Sequence, residues 1–311
     1  MTVEWETVRM GGLPVIFAVS FFAIVISRTE FARAQIIDFE RAQPRSSSSH
    51  YYVTELYDAN TGLTYPLRTE YDKAKTSTVK TWLSTTIYQK RTKSLGVSLL
   101  SDPGCVSKQR VELEITESEM LDDEYYAFSL YIHPQSAPPR NAVIFSQVWQ
   151  NHDLRYQGGQ YARFPPFSLV FYDSAYRWQV ETANEQLAPS GLPTRLYKQT
   201  NKVYKSPTGL KKGAWHRFVV RFKPSVTRNG AMTVWLNGKK VVSQTNQRNF
   251  GYRVRDTVPK VLNSFITRVG AYRGRQKCVD NIPSTGKPLP KMHVFFDNVK
   301  VGSSYSAVAN P

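Results

Sequence analysis

The last third of the chain is written in period two. Gly213–Phe222 (GAWHRFVVRF), Met232–Val242 (MTVWLNGKKVV), Phe265–Arg273 (FITRVGAYR) and Phe295–Val301 (FFDNVKV) follow one another with little helical spacing between them. Residues at i, i+2 and i+4 share one face of a strand. Asn237-Gly238 lies between two such runs, and this dipeptide marks a two-residue hairpin because both central positions of a type I′ turn need positive φ. Further runs occur upstream, at residues 78–88, 110–115, 125–132, 143–149 and 167–172, and the closing run extends over 293–301. In Arg110–Ile115 (RVELEI) charged and apolar residues alternate strictly. The only helix start expected is near Thr182–Glu185. The pattern specifies an all-β chain, a jelly-roll sandwich of two antiparallel sheets.

Leu13–Ile26 is apolar but shorter than the ~20 residues of a membrane span. Ala32-Arg33-Ala34 follows with a small-x-small cleavage pattern, so residues 1–34 read as a secretory signal. Residues 35–50, with Ser46–Ser49, read as a flexible lead-in, and residues 51–311 as a single β domain. The expected location is the periplasm or the medium, with no stable membrane span after cleavage; we expect a monomer. In such a compartment the two cysteines, Cys105 and Cys278, are expected to be bridged. There is no cysteine–histidine cluster that would suggest zinc.

The chain has 41 Lys and Arg against 24 Asp and Glu, a net charge of +17. A surplus of this size attracts polyanions. Export excludes nucleic acid as the partner and leaves an acidic polysaccharide. Period two places Arg268, Gly270 and Tyr272 on one face, and a cation beside a phenol suits an anionic sugar.

Three short motifs carry a resemblance over residues 105–302. Arg110-Val111-Glu112-Leu113-Glu114 is similar to an Arg-x-Glu-x-Arg strand, with Glu114 in place of the second Arg. Gln147-Val148-Trp149 is similar to Gln-x-His, with Trp149 in place of the His and His152 three residues on. Arg268-Val269-Gly270-Ala271-Tyr272 is similar to a strand ending in Gly-x-Tyr. In this order they resemble the jelly-roll polysaccharide lyases of the heparin lyase I, glucuronan lyase and, more distantly, alginate lyase kind. The resemblance implies a concanavalin-like sandwich that cleaves a uronate polymer by β-elimination.

That reaction needs a neutralised carboxylate, a base for the C5 proton and an acid for the leaving oxygen. The resemblance makes Arg110 and Gln147 the carboxylate partners and Tyr272 the acid, and also the base. His152 is the second base candidate. A free tyrosine titrates near ~10, so a phenolate calls for cations, and Arg110, Arg268 and Arg273 are the candidates. Arg268, Arg273, Trp149 and Glu112 are assigned to substrate binding, Glu112 by holding Arg110. Antiparallel pairing of Arg110 with Tyr272 would also bring Cys105 and Cys278 to one end. No cofactor is indicated; if calcium is bound, Asp297-Asn298 is the one place that would contribute. Two other readings stand beside the lyase. One is a non-catalytic carbohydrate-binding jelly roll, favoured by Trp149. The other is a concanavalin-like glycoside hydrolase, for which Glu112 and Glu114 are the only paired carboxylates on a strand.

Overall fold

The computed structural model describes residues 35–37, 39–40, 42–46, 53–58, 62–70, 79–89, 93–100, 109–119, 122–139, 142–150, 165–186, 197–225, 228–247, 249, 264–273 and 290–311. All of them belong to one compact unit, 31–311. The strands are, in chain order, β1 (Gln35–Ile37), β2 (Ala42–Ser46), β3 (Val53–Asp58), β4 (Thr64–Glu70), β5 (Val79–Ser84) and β6 (Ser94–Leu99). Then come β7 (Gln109–Glu119), β8 (Glu124–Ile132), β9 (Val143–Gln150), β10 (Phe167–Phe171), β11 (Trp178–Gln186) and β12 (Tyr197–Lys205). The last are β13 (Trp215–Lys223), β14 (Gly230–Leu236), β15 (Lys239–Gln247), β16 (Ser264–Arg273) and β17 (Met292–Gly302), followed by the short helix α1 (Tyr305–Ala309).

They form two antiparallel sheets. The smaller has the order β15-β14-β13-β8-β17-β6-β5, with β1 beside β17, and the larger the order β12-β11-β10-β9-β16-β7-β4-β3-β2. The all-β, two-sheet reading of the sequence holds. So does the hairpin: Leu236 faces Lys239, and Asn237 and Gly238 have φ of 50° and 80°.

The apolar positions of each alternating run meet between the sheets. Phe128 of β8 lies at the centre, with ring centroids 5.4 Å from Phe218, 6.0 Å from Phe296 and 6.4 Å from Phe145. Val111, Leu113, Val269 and Ala271 close the layer from the larger sheet, all fully buried. Helix α1 packs Val308 on Ala127 and Val219 of the smaller sheet's outer face, and Ser304 Oγ caps it by accepting from the Ala307 amide.

Two expectations are corrected. The segment read as a flexible lead-in contributes strands: β1 pairs with Val299–Val301 and β2 with Thr54–Asp58. Pro44 is tolerated because β2 is an edge, where a missing amide breaks no second ladder. The helix expected near Thr182–Glu185 is part of β11, where these residues pair with Lys198–Asn201 of β12. That ladder overrides a weak local preference. The proposed signal segment, Cys105 and Cys278 lie outside the described residues. Among the described residues no helix is long and apolar enough to cross a membrane.

One polar group bridges the sheets at depth. Glu124, at the start of β8, accepts from Thr267 Oγ1 of β16 at 2.8 Å and from Ser118 of β7. Burial is the main cause that pushes its carboxyl up to about 7, against the opposing hydroxyl bonds and with a small push from Asp122. In the unfolded chain it titrates near the ordinary 4.5. The folded state therefore binds the extra proton, and this contribution is complete below that value and lost as pH rises through about 7. The loss is on the order of 3 kcal/mol. Wild-type protein is expected to lose thermal stability from pH 5 to 8 more steeply than Glu124→Gln. Parallel melting curves for the two would rule this out.

Candidate active site

The antiparallel register of β7 and β16 builds the site. Tyr272 faces Arg110, Gly270 faces Glu112 and Arg268 faces Glu114. On the other side of β16, Arg268 faces Gln147 and Tyr272 faces Ile144 of β9. Since Val111, Leu113, Val269 and Ala271 point into the core, these polar residues lie on the outer face of the larger sheet. The expected face-sharing of Arg268, Gly270 and Tyr272, and the pairing of Arg110 with Tyr272, are both present.

The contacts form a compact network. The Arg110 guanidinium lies over the Tyr272 ring, 4.3 Å from its centroid. Arg110 Nε is 3.3 Å from Glu112 Oε2. Gln147 Nε2 donates to Glu112 Oε1 at 2.5 Å. Glu112 and Gln147 are on β7 and β9, so their bond spans the strand between them, at the level of Gly270. Here the glycine has two effects. It places no side chain between Glu112 and Gln147. It also lets the backbone adopt φ 155° against β7, where a Cβ would come within 2.1 Å of Val111 O. Gln147 is fully buried, and among the described residues its Oε1 has no hydrogen-bond partner.

Next to this network Arg268 donates from Nε to Glu114 Oε1 at 3.0 Å, and its Nη2 is 2.8 Å from the same oxygen. The half-buried Trp149 lies on its other side, its ring centroid 5.8 Å from the Arg268 guanidinium. Glu114, in place of an expected arginine, therefore pairs with Arg268. The Glu112/Glu114 pair considered for hydrolysis is held by Arg110 and Arg268.

Arg273 is corrected. It follows Tyr272 directly, so alternation turns it to the opposite face, where it is 1% exposed. Its guanidinium donates to Gln109 Oε1, Pro290 O and Leu100 O, which makes it a buried clamp on the inner face. His152 lies outside the described residues. Asp297 accepts from the Gln89 amide at 2.8 Å and the Asn298 amide at 2.6 Å, so its oxygens serve the backbone. Among the described residues no group of three or more His, Cys, Asp or Glu could hold a metal ion.

The sequence reading missed the far end of this face. Gln147 faces Ser168 of β10, and Ser168 faces Glu181 of β11. Buried Gln179 donates to Glu181 from the same strand. The signal was the alternation of Trp178, Val180 and Thr182 against Gln179 and Glu181, which the helical reading of Thr182–Glu185 masked.

A sequence model of the polysaccharide lyase family matches residues 60–300. The chain belongs to this family and is a polysaccharide lyase. Among solved structures it is similar to the endo-β-1,4-glucuronan lyase of the fungus Trichoderma reesei, with a TM-score of 0.59 and 18% identity over 78% of this chain and 92% of that one. An alginate lyase from a Chlorella virus superposes with a TM-score of 0.44 and 12% identity, over 76% and 93% of the two chains. The first likeness supports the jelly-roll fold; no curated protein sequence matches.

Gly270→Ala forces a side chain into the β7 backbone at an unfavourable φ. It is expected to lower unfolding free energy by about 2 kcal/mol or more. A denaturant midpoint equal to wild type would show that β16 can shift to accept it.

Proposed function

We propose that this lyase is exported and cleaves a uronate-containing polysaccharide by β-elimination on the outer face of the larger sheet. The observation that carries the reading is the Arg110 guanidinium stacked 4.3 Å over Tyr272, beside a Gln147 amide fixed by Glu112. Arg110, the partly exposed donor, binds the sugar carboxylate and, with the buried Gln147 amide beside it, stabilises the charge that develops when C5 loses its proton. Glu112 touches no substrate; it orients both groups. Tyr272 acts as the base for the C5 proton; the electron pair left on C5 forms the C4–C5 double bond as the C4–O bond breaks. Tyr272 then returns the proton to the leaving oxygen. Arg110 holds its positive charge over the Tyr272 ring, beside the reacting oxygen.

Trp149 removes the imidazole that the resemblance implies at that position, and among the described residues no histidine lies on this face. This gives the base role to Tyr272, with His152 as the alternative. The likeness to a glucuronan lyase makes glucuronan the first polymer to try, ahead of alginate and pectate. The apolar segment and cleavage pattern in residues 1–34 support export.

Tyr272→Phe is expected to lose turnover by about 10²–10⁴-fold while retention on the polymer stays within about threefold. Turnover is followed by the ultraviolet absorbance of the unsaturated product. His152→Ala is expected to keep most of its turnover. If His152→Ala loses turnover and Tyr272→Phe does not, the base is the histidine. A flat trace on every uronate polymer, with binding retained, would sink the elimination chemistry.

A further inference from the structure

The outer face of the smaller sheet carries a second organised surface. Register aligns Trp82 of β5 with Gly96 of β6, Gly96 with Phe295 of β17, Phe295 with Tyr131 of β8, and Tyr131 with Trp215 of β13. Four aromatic rings thus lie in one cross-strand row. Successive centroids are 5.6, 6.0 and 5.3 Å apart. Five strands at ~4.8 Å spacing make the row about 19 Å long. Gly96 is its floor: Trp82 lies flat over it, and a Cβ there would come within 2.5 Å of the indole. Trp82 remains 38% exposed, and Tyr131 and Trp215 are partly exposed. Helix α1 covers this face elsewhere, over Ala127 and Val219, and does not reach the row.

The neighbouring row carries an exposed lysine. Lys80 of β5 faces Ser98, and Ser98 faces His293 of β17. The His133 ring lies 6.0 Å from that of His293, and burial, followed by the nearby exposed Lys291 and His133, lowers the proton affinity of His293. None of the residues named in these two rows is acidic.

We propose that this surface is a second binding site for the acidic polysaccharide, holding a polyuronate chain along the aromatic row with its carboxylates toward Lys80 and Lys291. Sugar faces are apolar and pack on partly exposed aromatic edges and planes, while the lysines select an anionic polymer over a neutral one. The surface is on the opposite side of the sandwich from Tyr272, so it retains the polymer without joining the chemistry. The choice of polymer rests on the function proposed above.

The test compares wild type, Trp82→Ala and the double variant Lys80→Ser/Lys291→Ser by affinity electrophoresis in gels containing glucuronan or alginate. Turnover on short uronate oligosaccharides is measured in parallel. Trp82→Ala is expected to weaken retention about tenfold, equivalent to ~1.4 kcal/mol, with oligosaccharide turnover unchanged. The lysine variant, whose changes are exposed and cannot unfold the sheet, is expected to lose retention and much of its salt dependence. Retention equal to wild type in the lysine variant overturns the proposal, even if Trp82→Ala melts early. A change explained by dimer dissociation in sedimentation also overturns it, because the row would then bind a second copy. If wild type is retained but cleaves no uronate, the site around Tyr272 is misread and this surface still stands.

Discussion

The antiparallel register between β7 and β16 is the constraint on which the site depends. A slip of one residue would turn Arg110 and Glu112 into the core and Val111 and Leu113 outward. The buried apolar side of both strands fixes the register energetically, and the polar side inherits it. The contact between Arg110 and Tyr272 is therefore a consequence of Val111, Leu113, Val269 and Ala271 being buried. Gly270 completes the arrangement. It allows β16 to lie so close to β7 that a side chain would strike Val111 O, and it leaves the space through which Glu112 reaches Gln147.

Much of this was legible because alternation carries the information in both places. Strands β7, β8, β9, β13, β14, β16 and β17 are strongly patterned, since one of their faces must be apolar. The positions of Arg110, Gln147 and Tyr272 on one outer face follow from the same parity. Arg273 was misplaced by ignoring it: its charge suggested the surface, while its odd position relative to Tyr272 pointed inward. Its bonds to Gln109, Pro290 and Leu100 help to make that burial tolerable.

What was not legible has a physical reason. Strands β2 and β12 are the edges of the larger sheet, and an edge needs little apolar pattern to be held by one neighbour. Their sequences, AQPRS and YKQTNKVYK, read as loop. Strand β6 (SLGVSL) is short, and its outward positions are small because Trp82 covers Gly96, a tertiary fact that no local window contains. The two substitutions in the motifs, Glu114 and Trp149, were visible as departures. That Glu114 and Trp149 flank the Arg268 guanidinium from opposite sides could be seen only in the fold.

The large positive charge and the site are separate devices. Arg110 and Arg268 are each matched by a glutamate, so these two cations are not bare charges beside Tyr272. Long-range attraction for a polyanion is a property of the net +17, screened by salt over about 8 Å under physiological conditions. Under the proposed function, recognition at the reacting sugar depends instead on Arg110, held beside the Gln147 amide by Glu112. A polymer that is drawn in by the first and aligned by the second gains from being kept near the protein between cleavage events. The lysine-flanked aromatic row on the opposite sheet has the charge and the partly exposed rings for that task. It needs no precise alignment, which is consistent with a row built from rings tilted at different angles.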